Sequence, residues 1–229
     1  MAAHSVISTS YLRSDSESML LSQEDKKIIA EAIKRAELAT SGEIVFAITG
    51  ASGHYHHATL QGALIGTVLA AAVYLALPVP QTIGLLLWTE IIAFALFYSV
   101  IPHLPMRRWI IPAREMSECV HDAAFREFYA RGLYKTRESN GVLIYLSFLE
   151  RQVVVLGDKG IHEKMGDLHW NDVRDKIIRG IRLGKAREGI CAAVESCGIG
   201  LAQHFPHRPD DINELPDEVI DRTPDPEVS

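Results

Sequence analysis

Residues 140–161 read NGVLIYLSFLERQVVVLGDKGI, and this stretch predicts two strands joined by a tight turn. The runs GVLIYLSF, 141–148, and QVVVLG, 152–157, are almost continuously apolar. Strands of this composition are typically covered on both faces of a sheet. Only Leu149, Glu150 and Arg151 separate the two runs, so we predict an antiparallel β-hairpin within a covered sheet.

Helical and strand patterns flank this β-hairpin. Residues 23–40 repeat apolar side chains at helical spacing behind a Ser22 cap, and EIVFAIT, 43–49, predicts a first strand. Further helices are expected in three places, over 112–132, 170–181 and 186–205. The order is α, β, α, β, β, α, α once an apolar block within 59–102 is set aside. This order predicts an α/β layered domain whose first crossover is interrupted by that block.

The apolar block runs from Leu60 to Ile101 and contains one acidic or basic side chain, Glu90. Prolines 78 and 80 divide it into two parts of about 20 residues, the length with which a helix spans a bilayer. The alternative is a buried helix pair in a soluble core, which would be shorter and would show polar residues at every third or fourth position. We therefore predict a transmembrane helical hairpin over 59–102.

Glu90 lies near the middle of the second predicted span, where an ionisable group costs about 2.5 to 3.5 kcal/mol or more. We expect it to be protonated and to face protein. Its hydrogen-bond partner is expected to be Thr67 or Tyr74 within the hairpin, a second copy, or another membrane protein. The alternative role, in a proton or ion path, needs further polar residues along the bilayer, and the two helices offer almost none.

Small residues recur in the first predicted span. Gly62, Gly66 and Ala70 have the small-xxx-small spacing that lets a neighbouring helix approach closely. The second span is the expected neighbour. The hairpin is thus predicted to pack on itself in a lipid bilayer.

Basic residues predict the orientation. Arg107, Arg108 and Arg114 follow the second span, whereas the connection PVPQ, 78–81, is uncharged. Positive residues favour the cytoplasmic side of a membrane. We therefore expect a two-pass protein of the bacterial inner (plasma) membrane with both termini cytoplasmic.

The two ends of the chain differ from the middle in composition. Residues 1–19 show no apolar run behind a basic start and are expected to form a disordered lead. Residues 208–229 carry eight acids and two arginines, so their net charge of −6 equals that of the whole chain. This acidic tail is expected to be solvated and flexible, and the charge balance of the rest excludes nucleic acid as an expected partner. Three cysteines without a CxxC pair indicate reduced thiols.

Three blocks of the sequence resemble the bacterial membrane branch of the TPM domain, a family named for a thylakoid lumen phosphatase, a photosystem II repair protein and a nematode receptor modulator. The blocks are AELATSGEIV at 36–45, GLYKTRESNGVLIYLSFLERQVVVLGDKGI at 132–161 and REGICAAVESCGIGLAQHFP at 187–206. The resemblance implies a TPM-like domain in two parts, 20–50 and 112–207. It brings no catalytic motif, although weak phosphatase activity and divalent cation binding are attributed to some members.

The resemblance also implies a candidate site at one edge of the sheet. A right-handed crossover makes the first two strands parallel, and this brings Asp158 and Gly160 to the same edge as Glu43 and Asn140. The two carboxylates there would hold a hard divalent cation, calcium or magnesium, through oxygen atoms. Gly157 and Gly160 are expected to permit a tight turn with positive φ. The simpler alternative is that Asp158 only closes this turn by accepting backbone N–H bonds.

Four histidines flank the predicted spans. His54, His56 and His57 precede the first span and His103 follows the second, so all four are expected near one membrane face. Neutral imidazoles gathered in this way are able to bind zinc or a similar ion. The alternative is a set of interfacial histidines without a ligand, because no fixed ligand spacing is visible.

These observations predict a membrane-anchored TPM-like binding module that assists assembly or maintenance of membrane protein complexes. Its expected partners are the lipid bilayer and either a membrane protein complex or a second copy bound through the hairpin. One alternative is a weak metal-dependent phosphatase, in which a cation held by Asp158 and Glu43 polarises a phosphoryl oxygen and binds the attacking water. Another is a structural anchor whose acidic tail is recognised by a partner. An enzyme would need several acids converging in a concave site at this edge.

Overall fold

The computed structural model describes residues 21–53, 55–80, 82–103, 110–208, 213–216 and 218–223, apart from the side chains of 103, 162, 163 and 166–168. The described elements are α1 (Gln23–Glu37), β1 (Glu43–Thr49), α2 (His56–Ala76), α3 (Ile83–Val100), α4 (Ala113–Ala130), β2 (Gly141–Ser147), β3 (Gln152–Gly157), α5 (Lys159–Arg182), α6 (Ala186–His204) and β4 (Ile220–Asp221). Two short 3-10 helices lie at Ile101–His103 and Leu133–Lys135. The predicted lead, 1–19, falls outside the described residues.

The chain divides into two compact units. The first, here called the α/β unit, consists of Met1–Ser52 and Ser117–Ser229, and the second, the hairpin unit, is Gly53–Met116. The α/β unit contains the sheet with α1, α5, α6 and most of α4. The hairpin unit contains α2 and α3.

The sheet of the α/β unit has the strand order β3-β2-β1-β4. β1 and β2 are parallel, with Glu43 opposite Gly141, and β2 and β3 are antiparallel, with Val142 opposite Gly157. The predicted mixed α/β class and the directions of these three strands are therefore confirmed. All residues of β1 and β2 are buried, as expected for strands with two covered faces.

Side chains alternate between two apolar clusters because successive residues of a strand point to opposite faces. In β1, Ile44, Phe46 and Ile48 pack with residues of α1, α5 and α6, including Ile33, Ile177 and Leu201. Val45 and Ala47 belong to the second cluster, which contains Val120, Ala124 and Phe128 of α4. The two clusters together bury both faces of the sheet.

The start of α5 differs from the prediction. We expected a loop at 157–161 and a helix from Trp170, whereas α5 begins at Lys159, directly after the strand. Gly160 lowers the local helix propensity. In the structure, however, it lets the first turn of α5 approach the preceding loop, since a Cβ atom there would lie 3.0 Å from the carbonyl oxygen of Ser139.

The acidic tail also differs from the prediction. Residues 208–229 are predicted to be a flexible end, but the described part of this segment lies against the α/β unit and supplies β4. Leu215 and Ile220 pack against the second apolar cluster, and Val219 packs against the first. These three apolar side chains explain why a segment of such high charge is held to the domain.

In the hairpin unit, α2 and α3 pack through the small residues predicted for this role. A Cβ atom at Gly66 would lie 2.5 Å from the ring of Phe97, and one at Gly62 would lie 2.8 Å from Ile101. The predicted close approach is therefore confirmed. Both helices are long and apolar enough to cross a membrane.

Candidate functional site

The structure places the predicted candidates Glu43, Asn140, Asp158 and Gly160 along one edge of the sheet. Glu43 pairs with Gly141 of β2, and the backbone nitrogen of Asp158 donates to the carbonyl oxygen of the same Gly141 at 3.0 Å. Glu43 and Asp158 therefore flank the start of β2 on opposite sides. Two strand spacings separate their backbones, about 10 Å.

Asp158 is the N-cap of α5. Its Oδ1 accepts a hydrogen bond from the backbone nitrogen of Lys159 at 2.6 Å, and its φ and ψ, −64° and 163°, are extended. Neither Gly157 nor Gly160 has a positive φ, so the tight turn with positive φ that was predicted here is wrong. A carboxylate in this position satisfies a free N–H group and interacts favourably with the helix dipole.

Glu43 and Asn140 face the tail and the loop before β1. Glu43 is 6% exposed, and its Oε1 accepts a hydrogen bond from the backbone nitrogen of Glu214 at 3.0 Å. The side-chain amide nitrogen of Asn140 donates to the carbonyl oxygen of Ser41. Within the described residues, Oδ1 of Asn140 is buried without a hydrogen-bond partner.

The carboxylates of Glu43 and Asp158 thus have different hydrogen-bond partners at this edge. No group of three His, Cys, Asp or Glu side chains able to hold a metal occurs among the described residues. The calcium or magnesium site and the phosphatase that depends on it stay predictions.

The predicted histidine cluster is only partly described. His54 lies outside the described residues, as does the side chain of His103. His56 and His57 begin α2, and Nε2 of His57 lies 3.1 Å from Oε2 of Glu115 within the hairpin unit. Zinc binding by these residues stays a prediction.

A second polar cluster lies at the opposite edge of the sheet, and the sequence analysis did not identify it. Glu150, in the turn between β2 and β3, is fully buried. One of its oxygens accepts a hydrogen bond from the backbone nitrogen of Ser52 at 2.9 Å, and the other accepts one from the hydroxyl of Ser147. The carboxylate therefore ties the β2–β3 turn to the segment that follows β1.

Further polar side chains lie in this part of the sheet. Oγ of Ser52 donates to Oγ of Ser147 at 2.9 Å and lies 3.3 Å from the hydroxyl of Tyr145. Burial raises the pKa of Tyr145, and the charge of Glu150 acts in the same direction. Gln152, which pairs with Ser147, is 5% exposed, and both polar atoms of its amide lack a hydrogen-bond partner among the described residues.

The only sequence signal for this cluster is an acid between two apolar strands, which is also typical of an ordinary turn. Ser52, Ser147 and Glu150 bond to one another, and the carboxylate holds two chain segments together. The geometry indicates a positioning role in the α/β unit, because a hydrogen-bonded buried carboxylate orders the donors around it.

Glu90 of α3 is the polar group of the hairpin unit that the sequence singles out. Its Oε1 is buried and has no hydrogen-bond partner among the described residues. Oε1 therefore bonds to neither of the two partners predicted within the hairpin, Thr67 and Tyr74. Thr67 donates to the carbonyl oxygen of Ala63 at 2.6 Å, and Tyr74 bonds to the backbone around Thr82.

The fold and these sites define a mixed α/β domain whose chain carries two long apolar helices. Residues 109–198 match the family model of the TPM domain. This match confirms the resemblance for the middle block and for most of the last block, whereas the first block, 36–45, precedes the matched range.

A solved structure has the same general fold. The NMR structure of BA42 protein, from the psychrophilic bacterium Bizionia argentinensis, is 25% identical in sequence and superimposes with a TM-score of 0.56. The alignment covers 88% of this chain and 95% of that protein. Among curated proteins, none matches this sequence. Residues 109–198 of this chain are therefore similar to the TPM domain, and the chain also carries two apolar helices.

Proposed function

We propose that this protein is a membrane-anchored TPM-like binding module that assists the assembly or maintenance of membrane protein complexes. In this proposal, α2 and α3 cross the bacterial inner membrane and both termini are cytoplasmic. The exposure of α3 supports the anchor, since only 6% of its most apolar window is buried within the protein. A helix of a soluble core would bury its apolar side chains, whereas lipid accommodates exposed ones.

The observation that carries the binding role is the carboxyl group of Glu90. Its Oε1 is shielded by the hairpin and has no partner among the described residues. A buried polar group in a region without water is costly unless another group bonds to it. The carboxyl group of Glu90 therefore favours contact with a polar group on another membrane protein.

The binding role is tested by crosslinking the full chain in native membranes, with Glu90→Gln, Glu90→Leu and the control Thr89→Val. We expect glutamine to retain most of the crosslinked partner, because its amide also donates, and leucine to weaken association by about 0.6 to 2 kcal/mol. The control should leave crosslinking unchanged, since the hydroxyl of Thr89 bonds to Leu85 within its own helix at 2.8 Å.

The possible outcomes separate the partners. A crosslinked product containing only this chain would replace the membrane complex by self-association through the hairpin. Equal crosslinking of all four forms would remove Glu90 from the interface and contradict the proposal. Loss of cellular function in the glutamine variant alone would instead favour proton or ion transfer, which a carboxamide cannot perform.

Orientation is tested separately with reporters fused after Ser229. We expect activity from a reporter that works in the cytoplasm and none from one that works in the periplasm. The opposite pattern would invert the proposed topology but would leave the role of Glu90 intact.

A further inference from the structure

The acidic tail occupies the outer edge of β1. Ile220 and Asp221 pair in parallel with Ala47 and Ile48, and the backbone nitrogen of Arg222 donates to the carbonyl oxygen of Ile48 at 2.8 Å. Without β4, β1 would be an edge strand, because the order of the sheet is β3-β2-β1-β4. An exposed edge of an apolar strand readily pairs with another chain.

Side chains of the tail recognise the domain on both faces of this edge. Val219 packs against the cluster of α1, α5 and α6, whereas Ile220 packs against the cluster of α4. Next to them, Oδ2 of Asp221 lies 2.6 Å from Nζ of Lys26 on α1. The tail therefore presents two apolar residues and an acid, each to a different part of the domain.

The tail is held more loosely than the other strands. β4 has two residues, whereas β1 has seven, and neither residue of β4 is fully buried. The side chain of Arg222, which faces Glu127 at 3.5 Å, is 57% exposed. Ion pairs of this kind contribute roughly 0 to 1 kcal/mol each, and so they do not fix the strand in place.

The fit between the tail and the domain is also incomplete. A partly open pocket of about 160 Å³ lies between tail residues, among them Leu215 and Ile220, and domain residues that include Val45 and Arg131. The side chains of the tail leave this space unfilled, so the contacts that a larger side chain would make are missing. The site is thus able to accept a larger side chain than the tail supplies.

We propose that the outer edge of β1 is a docking site for an extended segment of a partner protein, and that the tail is its built-in, displaceable occupant. The partner segment runs parallel to β1 and carries two apolar residues followed by an acid, the pattern of Val219, Ile220 and Asp221. Backbone pairing gives affinity, and the two apolar contacts together with Lys26 give specificity, as in other cases of strand addition. This interface is independent of Glu90 and of the hairpin.

The size of the docking strip follows from the other contacts of β1. The backbone nitrogen of Ile44 donates to Oε1 of Glu37 at 2.8 Å, and so a side chain of the domain already bonds the beginning of the strand. The tail pairs only near its end, at Ala47 and Ile48. The docking strip is therefore short, and its affinity depends on the apolar contacts and on Lys26.

The test uses the full chain in mild detergent and a labelled peptide with the tail sequence NELPDEVIDRT, residues 213–223. In the variant Lys26→Glu, the new carboxylate repels Asp221 of the chain's own tail. A peptide in which lysine replaces aspartate at position 221 would then be attracted. We expect this variant to bind the altered peptide about tenfold more tightly than the unaltered chain does. The variant attracts the lysine of the peptide, whereas Lys26 of the unaltered chain repels it.

The matched control is Lys27→Glu, which makes the same charge change on the same helical turn. Lys27 is exposed, so this variant should behave like the unaltered chain. Both substitutions lie in the first turns of α1, where an acid favours the helix, and folding should be retained. Amide exchange in β2 and β3 verifies that both variants are folded.

Three outcomes would overturn the proposal. Equal binding of the altered peptide to the Lys26→Glu and Lys27→Glu variants would show that Lys26 does not interact with the acidic side chain of the docked strand. Absence of binding to a folded Lys26→Glu variant whose β4 amides exchange freely would show that an open edge accepts no strand. Dimers formed by exchange of tails between copies, without peptide, would make a second copy the occupant.

A peptide with phenylalanine at position 220 tests the pocket separately. It should bind more tightly by filling the pocket, and weaker binding would count against the site described.

Discussion

Glu150 in the α/β unit and Glu90 in the hairpin unit both bury carboxyl oxygens, but their surroundings are opposite. Both oxygens of Glu150 accept hydrogen bonds, from Ser52 and Ser147. Oε1 of Glu90 accepts none from the described residues. A buried polar group that is satisfied stabilises its fold, whereas one left unsatisfied costs free energy. Glu150 therefore serves the structure, whereas in the proposed function Glu90 serves a contact outside the chain.

The largest loss of stability is expected for Glu150→Ala. The substitution removes the acceptor for two buried donors, and so we expect the α/β unit to lose about 2 to 4 kcal/mol of stability. Glu150→Gln should lose less, because its amide oxygen still accepts from Ser52. Hydrogen exchange of the β2 and β3 amides measures the change. An exposed acid of α6, Glu195, serves as control, since its replacement by alanine should alter stability by no more than about 0.5 kcal/mol.

If Glu150→Ala were as stable as Glu195→Ala, the buried cluster would have no structural role. Glu150 and Glu90 would then no longer differ in what their buried oxygens contribute to the stability of the fold.

The packing of the hairpin gives the next effect. A Cβ atom at Gly66 would lie 2.5 Å from two ring carbons of Phe97, whereas at Gly84 it would meet nothing within 4 Å. We expect Gly66→Ala to destabilise the hairpin by about 1 to 3 kcal/mol through overpacking. Gly84→Ala should be neutral or slightly stabilising, because alanine favours a helix. Unfolding by SDS in mixed micelles compares the two variants, and equal behaviour would contradict the close helix contact.

Glu90→Leu is expected to have a smaller effect and the opposite sign from Glu150→Ala. Leucine removes a buried oxygen that has no partner, so the isolated hairpin should be as stable as before or more stable by about 1 kcal/mol. The same SDS unfolding experiment measures this. A hairpin destabilised as strongly as the α/β unit is by Glu150→Ala would mean that Glu90 bonds within its own chain, and this would remove the basis of the proposed partner contact.

The sequence predicted those helices and strands that the residue pattern of a single short segment defines. The apolar runs predicted β1, β2, β3 and the β2–β3 hairpin, and Gly62 and Gly66 predicted the helix contact, whereas the parallel pairing of β1 with β2 came from the family resemblance. The start of α5 was missed because glycine at position 160 lowers helix propensity. In the folded chain this glycine is needed because a Cβ atom there would lie too close to Ser139. That contact belongs to the folded chain and has no local signature.

The missed parts of the candidate sites depend on contacts between distant residues. Ser52 and Glu150 are 98 positions apart, and the bond between Glu214 and Glu43 spans 171 positions. Composition predicted solvation for the acidic tail, since charge dominates it. Three apolar side chains nevertheless hold it to the sheet, and their spacing is too irregular to indicate a strand. The edge of the sheet could be predicted from topology, but the partners of its carboxylates could not.

The smallest expected effect extends the comparison to a third carboxylate, Asp221 in the tail. Burial opposes ionisation, but hydrogen bonds from Lys26 and Thr223 and the charge of Lys26 hold the pKa of Asp221 below its usual value. A lowered pKa in the folded state means that the ionised group stabilises the docked tail above about pH 4, the unfolded value. This contribution is lost as the pH falls through the lower folded value. Because the ion pair is partly exposed, the loss should be no more than about 1 kcal/mol.

Protection of the β4 amides from exchange, corrected for the intrinsic rate, should therefore decrease between about pH 5 and pH 3 while protection of β2 persists. Asp221→Asn keeps the acceptor for the backbone of Thr223 but has no charge for Lys26. In this variant, protection should be lower at pH 7 and nearly constant with pH. A similar decrease in both proteins would assign the pH dependence to another group, such as Asp25 in the cap of α1, whose pKa is lowered by its hydrogen bond with Ser22. The tail would then be held by its backbone pairing and apolar contacts without help from Lys26, and Lys26 would not distinguish one docked strand from another.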